Sequence, residues 1–308
     1  MAVQTSGSTG SPKRICVEKR RMRASARMTC RFLGLQAGQT ALLCMPLRYI
    51  AGQMMVVRAL EQGLRLIAAE PDGHPLAGIE EPVDFAAMVP MQVWNSLRVP
   101  AERERLQRIR HLIIGGGAIS DELEEELRAM PNAVWSTYGM TETLSHIALR
   151  RLSGPDATRW YTPLPGIRVW RDDATQTLVV RATEVNPDTL HTRDIVEFAP
   201  SGDRFRVLGR TDNTISSGGI KIQLEEVEAL LHRHLGHSLL ATSRPDGKFG
   251  DALVLLTTKP IDATQLDGIL SAHPYWRPKA ILTVPRLPLT ETGKPDRAEA
   301  RRMAADFL

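Results

Sequence analysis

The sequence predicts an α/β protein in which a βαβ-type segment is followed by a small β-rich region and then by a compact α+β segment. Three observations carry this reading. Apolar runs of strand length alternate with helical stretches from Ala41 onward; after about Arg151 the texture changes to short β-like pieces between Pro, Gly and Asp turns; and helical patterning returns beyond Gly209-Arg210-Thr211-Asp212-Asn213. The implied division is 1–150, 151–208, a connection at 209–213, and 214–308. A chain of 308 residues with 43% hydrophobic content suffices for about two domains with real cores, so disorder is not expected.

The chain opens on Thr5-Ser6-Gly7-Ser8-Thr9-Gly10-Ser11-Pro12-Lys13. Gly7 and Gly10 allow turns that aim successive N–H groups at an anion, Ser6, Ser8 and Thr9 add hydroxyl donors, and Lys13 adds a charge, so the stretch reads as a phosphate cradle. Its spacing is not that of the Walker loop, because Pro12 precedes the lysine and no Ser or Thr follows it. On composition alone, a flexible Gly/Ser segment is an equally good reading.

Ile15 to Arg31 is basic and helical in character. Ala41 to Leu47 is a continuous apolar run of strand length stopped by Pro46, Gly52 to Gly63 has helical length and composition, and Leu64 to Ala69 is a second short strand. A strand at Phe85 to Val89, a helix after Pro90 and a charged helix from Ala101 to Arg108 follow. His111 to Ile114 enters Gly115-Gly116-Gly117-Ala118, and Ser120 is placed to N-cap an acidic helix, Asp121 to Met130. Ala133 to Thr137 forms the next strand and runs into Tyr138-Gly139-Met140-Thr141-Glu142-Thr143. In the last segment, helices are expected at Leu224 to His234, Ala263 to Ala272 and Asp296 to Ala305, with strands at Ala252 to Thr257 and Lys279 to Val284.

The net charge of +4 is spread along the chain and aromatic residues make up only 5%, which argues against a nucleic-acid platform. Three cysteines, Cys16, Cys30 and Cys44, without metal-ligand spacing point to a reduced, cytoplasmic setting without structural zinc. No apolar run approaches the roughly 18 residues of a membrane span, and no leader is evident.

Each glycine-rich motif is weak alone; their order is the signal. TSGSTGSPK, GGGA, STYGMTET, TRD at Thr192 to Asp194, GRTDNTISSGG from Gly209 and PLTETGKPDR from Pro288 together resemble the adenylate-forming superfamily of acyl-CoA synthetases, luciferases and nonribosomal-peptide adenylation domains. Within it, Met45-Pro46-Leu47-Arg48-Tyr49-Ile50-Ala51-Gly52-Gln53, Arg58 and the Ser217-to-Glu228 stretch are most similar to the o-succinylbenzoate–CoA ligases of menaquinone biosynthesis. Other aryl- and fatty-acyl-CoA ligases share much of this pattern and stay open, as does a non-catalytic nucleotide-binding remnant. The resemblance implies an α/β large domain with a small β subdomain and a C-terminal α+β cap. Family members carry a sizeable part before the phosphate loop, whereas only Met1 to Gln4 precede it here, so the large domain is expected to be truncated. An apolar face bared in this way favours a homodimer.

The same resemblance implies ATP and coenzyme A as co-substrates, with Mg²⁺. Thr5, Ser6, Gly7, Ser8 and Thr9 would hold the β- and γ-phosphates, with Lys13 supporting the loop. Thr141 would bond the α-phosphate, and Glu142 would hold Mg²⁺, a hard cation suited to carboxylate and phosphate oxygens. Tyr138 would lie against adenine opposite Gly116, Gly117 and Ala118, and Asp194 and Arg210 would bind the ribose hydroxyls. Lys294 would be the catalytic cation, Asp212 the hinge, and Gly218 and Gly219 the passage for pantetheine. Against these stand plainer readings: Tyr138 as a core aromatic, Asp194 and Arg210 as a surface ion pair, Lys294 as solvated. For Arg58, implied to bind a carboxylate of the acid, local sequence favours a solvated side chain paired with Glu61.

Overall fold

The computed structural model describes residues 2–4, 14–117, 119–290 and 293–306. β1 (Ala2–Gln4) and β2 (Arg14–Cys16) pair antiparallel. The basic stretch therefore becomes helical only at α1 (Lys19–Leu33), which buries Met22, Ala26, Thr29, Cys30 and Leu33 on one face at helical spacing. Gly34, at φ 65°, ends it in the left-handed conformation that glycine adopts without a Cβ penalty.

Then come β3 (Thr40–Leu43), α2 (Ile50–Gln62), β4 (Arg65–Ala68), β5 (Phe85–Met88), α3 (Pro90–Arg98), α4 (Pro100–Arg108), β6 (His111–Ile114), α5 (Asp121–Arg128), β7 (Ala133–Gly139), β8 (His146–Arg151) and β9 (Thr162–Pro163). These strands form one seven-stranded sheet in the order β4-β3-β5-β6-β7-β8-β9. It is parallel from β4 to β7 and antiparallel beyond. Both faces of the central strands are covered, so β5 is apolar and buried along its whole length, whereas the edge strand β4 begins at exposed Arg65. Ala41, Phe85, Ala87 and Ile113 pack toward α1 and α2, while Leu42, Ala86, Met88, Leu112 and Ile114 pack beneath α3, α4 and α5. Ser120 caps α5 by accepting from the Leu123 N–H at 3.2 Å.

Two expectations are corrected here. β3 stops at Leu43, because the chain turns at Met45 and Pro46 to admit α2: a Cβ on Gly52 would stand 2.5 Å from the Pro46 carbonyl oxygen. The division at 150/151 falls at the end of β8, and the first sheet continues through β9, where Ala148 pairs with Pro163 and Leu149 with Thr162.

The β-rich region is the antiparallel sheet β10 (Arg168–Arg171), β11 (Thr177–Arg181), β12 (Thr189–Phe198) and β13 (Phe205–Arg210). Its Leu178, Val180, Val196 and Phe205 join the apolar cluster under α1 and α2, so this sheet shares a core with the first. After a short turn at Thr211–Asn213 come β14 (Thr214–Ser217), β15 (Ile220–Gln223), α6 (Leu224–Leu235), β16 (Leu239–Asp246), β17 (Gly250–Thr257), α7 (Ala263–Ile269), β18 (Ala280–Thr283) and α8 (Arg297–Ala305). The sheet they form has α6 and α7 over Ala241, Leu253 and Leu255, and α8 over Leu240, Val254 and Leu256. α7 is shorter than expected: it ends at Ile269, just past Gly268 and before Pro274. No helix among the described residues is long and apolar enough to cross a membrane.

Candidate active site

The C-terminal ends of β3, β5, β6 and β7 open onto a cleft of about 1590 Å³, where ligands of open α/β sheets lie. The strand-end segment Thr137 to Glu142 forms one wall, Thr189 to Asp194 with Arg210 a second, and Arg58 with Ser145 and His146 a third. Leu289, Thr290, Gly293 and Lys294 face it from the C-terminal segment.

β12 and β13 place Asp194 directly opposite Arg210, one step before a register shift at Ile195 and Val196. Arg210 Nη1 donates to Asp194 Oδ1 at 2.8 Å, and the Tyr138 hydroxyl donates to Oδ2. The expected ribose acceptor is thus an ion pair as well, oriented by its Arg210 bond and by its own N–H, which donates to Thr192 Oγ1 at 3.1 Å. The Tyr138 ring faces the cleft and also stands edge-on to Phe205, with centroids 5.2 Å apart, so it is core aromatic and cleft wall together. Burial and the Asp194 carboxylate hold its phenol well above the usual tyrosine range.

Lys294 sits in a turn closed by the Thr290 N–H donating to its carbonyl at 2.8 Å and by its own N–H donating to Thr290 Oγ1 at 3.2 Å. Burial, and then the Arg210 charge, pull its ammonium below the usual lysine range, against the opposing pull of Asp194. Lys294 is thus a half-buried cation at the cleft, not the solvated side chain of the plainer reading.

Gly115 and Gly116 border the cleft, whereas Gly117 is turned toward Pro90 and does not line it. Gly116 has a φ of 81°, and a Cβ on Gly115 would run into Thr137 Oγ1. Thr141 and Glu142 lie in a short turn after β7 and line the cleft. The Glu142 carbonyl accepts from Asn186 Nδ2 at 2.9 Å; among the described residues its carboxylate has no hydrogen-bond or ion-pair partner. Thr5, Ser6, Gly7, Ser8, Thr9, Lys13 and Ala118 lie outside the described residues.

The plainer local reading of Arg58, solvated and paired with Glu61, does not hold. Glu61 is taken by Arg23 at 2.6 Å and Arg27 at 2.7 Å, both from α1. Arg58 turns inward and is only 2% exposed, because α2 presents it with Met54 and Met55 to the sheet side. Its Nη2 donates to Ser145 Oγ at 2.5 Å, its Nη1 approaches Met55 Sδ at 3.7 Å, and its Nε has no acceptor. Burial lowers this guanidinium to about 10. Ser145 and His146 were not singled out by sequence; no local pattern marks them beyond their place just after the YGMTET stretch.

Asp212 is held by three arginines: Arg210 Nε and Nη2 at 2.9 and 3.0 Å, Arg193 Nη1 at 3.5 Å, and Arg301 Nη2 on its carbonyl at 2.9 Å. Gly218 and Gly219, at φ 60° and 83°, make the β14–β15 turn and do not line the cleft.

The family profile described as AMP-binding enzyme matches residues 3–185, more than half of the chain. The chain belongs to the AMP-binding enzyme family. Across 75% of its length this AMP-binding enzyme is 30% identical to the 2-succinylbenzoate–CoA ligase of Salmonella typhimurium, of which it covers 51%. It thus spans about half the length of the curated relatives it matches. It is also similar to a solved acyl-CoA synthetase (AMP-forming)/AMP-acid ligase II-like protein from Dyadobacter fermentans. That pair is 35% identical with a TM-score of 0.66, over 99% of this chain and 89% of the other. The fold matches the o-succinylbenzoate coenzyme A synthetase of Bacillus subtilis, solved with ATP and magnesium ion, at 23% identity and a TM-score of 0.78, over 97% of this chain and 69% of that one.

Proposed function

We propose that the protein is an AMP-forming acid–thiol ligase acting in the cytoplasm, which adenylates an aromatic dicarboxylic acid, 2-succinylbenzoate or a close analogue, and passes the acyl group to coenzyme A. The observation that carries the substrate is Arg58: a guanidinium buried at the cleft wall with, among the described residues, no carboxylate of its own. A buried charge demands a partner. A dicarboxylic substrate brings one, because one carboxylate is activated and the other is left for the arginine, whose planar fork can pair both of its oxygens.

In this reading the reaction requires two anions to meet. A carboxylate oxygen of the acid attacks the α-phosphorus of ATP, the bond to pyrophosphate breaks, and an acyl-adenylate forms. Lys294 supplies positive charge where the attacking carboxylate and the α-phosphate oxygens converge, in a half-buried setting that strengthens it. Asp194 accepts from the ribose diol, with Arg210 fixing the carboxylate's orientation and Tyr138 bordering the base with Gly116. Thr141 bonds the α-phosphate, and the loop at 5–13, with Thr5 to Thr9 and Lys13, takes the β- and γ-phosphates. Magnesium fits Glu142, a cleft-facing carboxylate with no protein partner among the described residues, where no cluster of three or more His, Cys, Asp or Glu occurs; such a cation would be shared with the polyphosphate.

For the second step the thiol of coenzyme A attacks the acyl carbon and AMP leaves. Gly218 and Gly219 lie away from the cleft while Lys294 faces it, which supports a rotation about Asp212 that exchanges one face of the C-terminal segment for the other.

Pyrophosphate release from ATP with a panel of acids tests the proposal. We expect strong selectivity for 2-succinylbenzoate over monocarboxylic aromatic and aliphatic acids. Equal release with all of them would remove the dicarboxylate, and release with none would remove the ligase.

A further inference from the structure

We propose that His146 is a positioning residue for the acid substrate: acting through Ser145, it holds the Arg58 guanidinium in the orientation that receives the substrate's second carboxylate. This rests on the reading of Arg58 given above and extends it to residues that need not touch the substrate.

The polar groups form one chain. Arg58 Nη2 reaches Ser145 Oγ at 2.5 Å, Ser145 Oγ lies 3.3 Å from His146 Nδ1, His146 Nε2 lies 3.0 Å from Thr29 Oγ1, and Thr29 Oγ1 lies 3.3 Å from the Ser25 carbonyl. His146 and Thr29 are buried, at 7% and 0% exposure, so no abundant solvent completes these groups. Direction follows from chemistry. A guanidinium only donates, so the Ser145 oxygen accepts from Arg58 and its hydrogen is free for Nδ1. A carbonyl only accepts, so the Thr29 hydrogen goes to Ser25, and the Thr29 oxygen is left to accept Nε2–H. One assignment satisfies every hydrogen bond of the chain: a neutral imidazole with its proton on Nε2 and its lone pair on Nδ1 aimed at Ser145.

The consequence for Arg58 is geometric. Among the described residues, Ser145 Oγ is the one oxygen that accepts from it, while Nη1 meets only a thioether and Nε meets nothing. Tying down one Nη2 donor fixes the plane of the fork and leaves its other N–H groups for an incoming carboxylate. A protonated imidazole would turn Nδ1 into a donor opposed to the Ser145 hydrogen and set a second cation beside Arg58. Burial, and then the Arg58 charge, keep His146 well below the usual histidine range, so the neutral form persists.

The test is the ratio of kcat/KM for 2-succinylbenzoate to that for 4-oxo-4-phenylbutanoate, which lacks the second carboxylate. It is measured in the full chain and in R58Q, H146L and H146Q, with the KM for ATP alongside. Gln can offer its amide N–H to Thr29 and its amide oxygen to Ser145. We expect the ratio to fall about tenfold or more in R58Q and about fivefold in H146L, to stay within about twofold in H146Q, and the ATP KM of H146L to hold. A merely structural histidine would move both acids and ATP together, and that result overturns the proposal. A fall in R58Q without one in H146L overturns the role of His146 and leaves Arg58 standing; an unchanged ratio in R58Q overturns both. Equal falls in H146L and H146Q also overturn the hydrogen-bond chain. If H146L does not fold, T29V, which removes the acceptor of Nε2–H, is judged by the same ratio.

Discussion

Arg210 divides one guanidinium between two carboxylates: Nη1 bonds Asp194 at 2.8 Å, while Nε and Nη2 clasp Asp212 at 2.9 and 3.0 Å. The proposed ribose acceptor and the proposed hinge are therefore tied to the same planar group, which lysine cannot imitate because its ammonium is a single point. R210K is expected to weaken ATP binding and to unbalance the two half-reactions together. Loss of charged hydrogen bonds of this kind is worth about 1.5–3 kcal/mol each, or roughly 10- to 150-fold in apparent affinity. Measuring the ATP KM and the rates of both half-reactions in R210K checks this; a change in neither contradicts the shared role.

The hinge gives a separate expectation. Asp212 lies in the turn between β13 and β14, and proline there fixes φ near −65°. D212P should slow thioester formation more than adenylation, as single-turnover assays of each would reveal. Equal loss in both would move the hinge elsewhere.

Close packing behind the cleft is open to a stability measurement. A Cβ on Gly139 would stand 2.5 Å from His146 Cα and from the Ser145 carbonyl oxygen, backbone atoms that cannot swing aside. G139A should lower stability by about 1–3 kcal/mol, seen as a lower thermal midpoint. An unchanged midpoint would show that the β7–β8 turn gives way.

Much of the first sheet was legible because its central parallel strands are short apolar runs, as at Leu112 to Ile114 and Phe85 to Met88, and because helix signals such as Ser120 act locally. β14 to β16 were not read, since Thr214–Ser217 is polar and Leu239–Asp246 carries Arg244 and Pro245; these strands exist through pairing with one another and with β17. Site residues with short-range motifs, such as Asp194, Arg210 and Lys294, do meet at the cleft. Arg58 shows the limit of local reading. Its i+3 neighbour Glu61 is claimed by α1, a tertiary fact, and the partners that matter, Ser145 and Thr29, are 87 and 29 positions away in sequence.

Lys294 should also impose a pH limit. Burial and Arg210 depress its pKa, so its proton leaves at a lower pH than that of a free lysine, and adenylation should fall as pH rises through that point. K294R keeps its charge to higher pH, so whatever activity it retains should show its alkaline limb displaced upward. An unmoved limb would assign the titration to another group.

The most direct test of the proposed ligase mechanism separates the two half-reactions in K294A. Without the Lys294 charge, acyl-adenylate formation from ATP and 2-succinylbenzoate should drop by about 10²- to 10³-fold or more, while transfer from supplied acyl-adenylate to coenzyme A stays largely intact. Equal loss of both steps would contradict a role for Lys294 at the adenylation transition state.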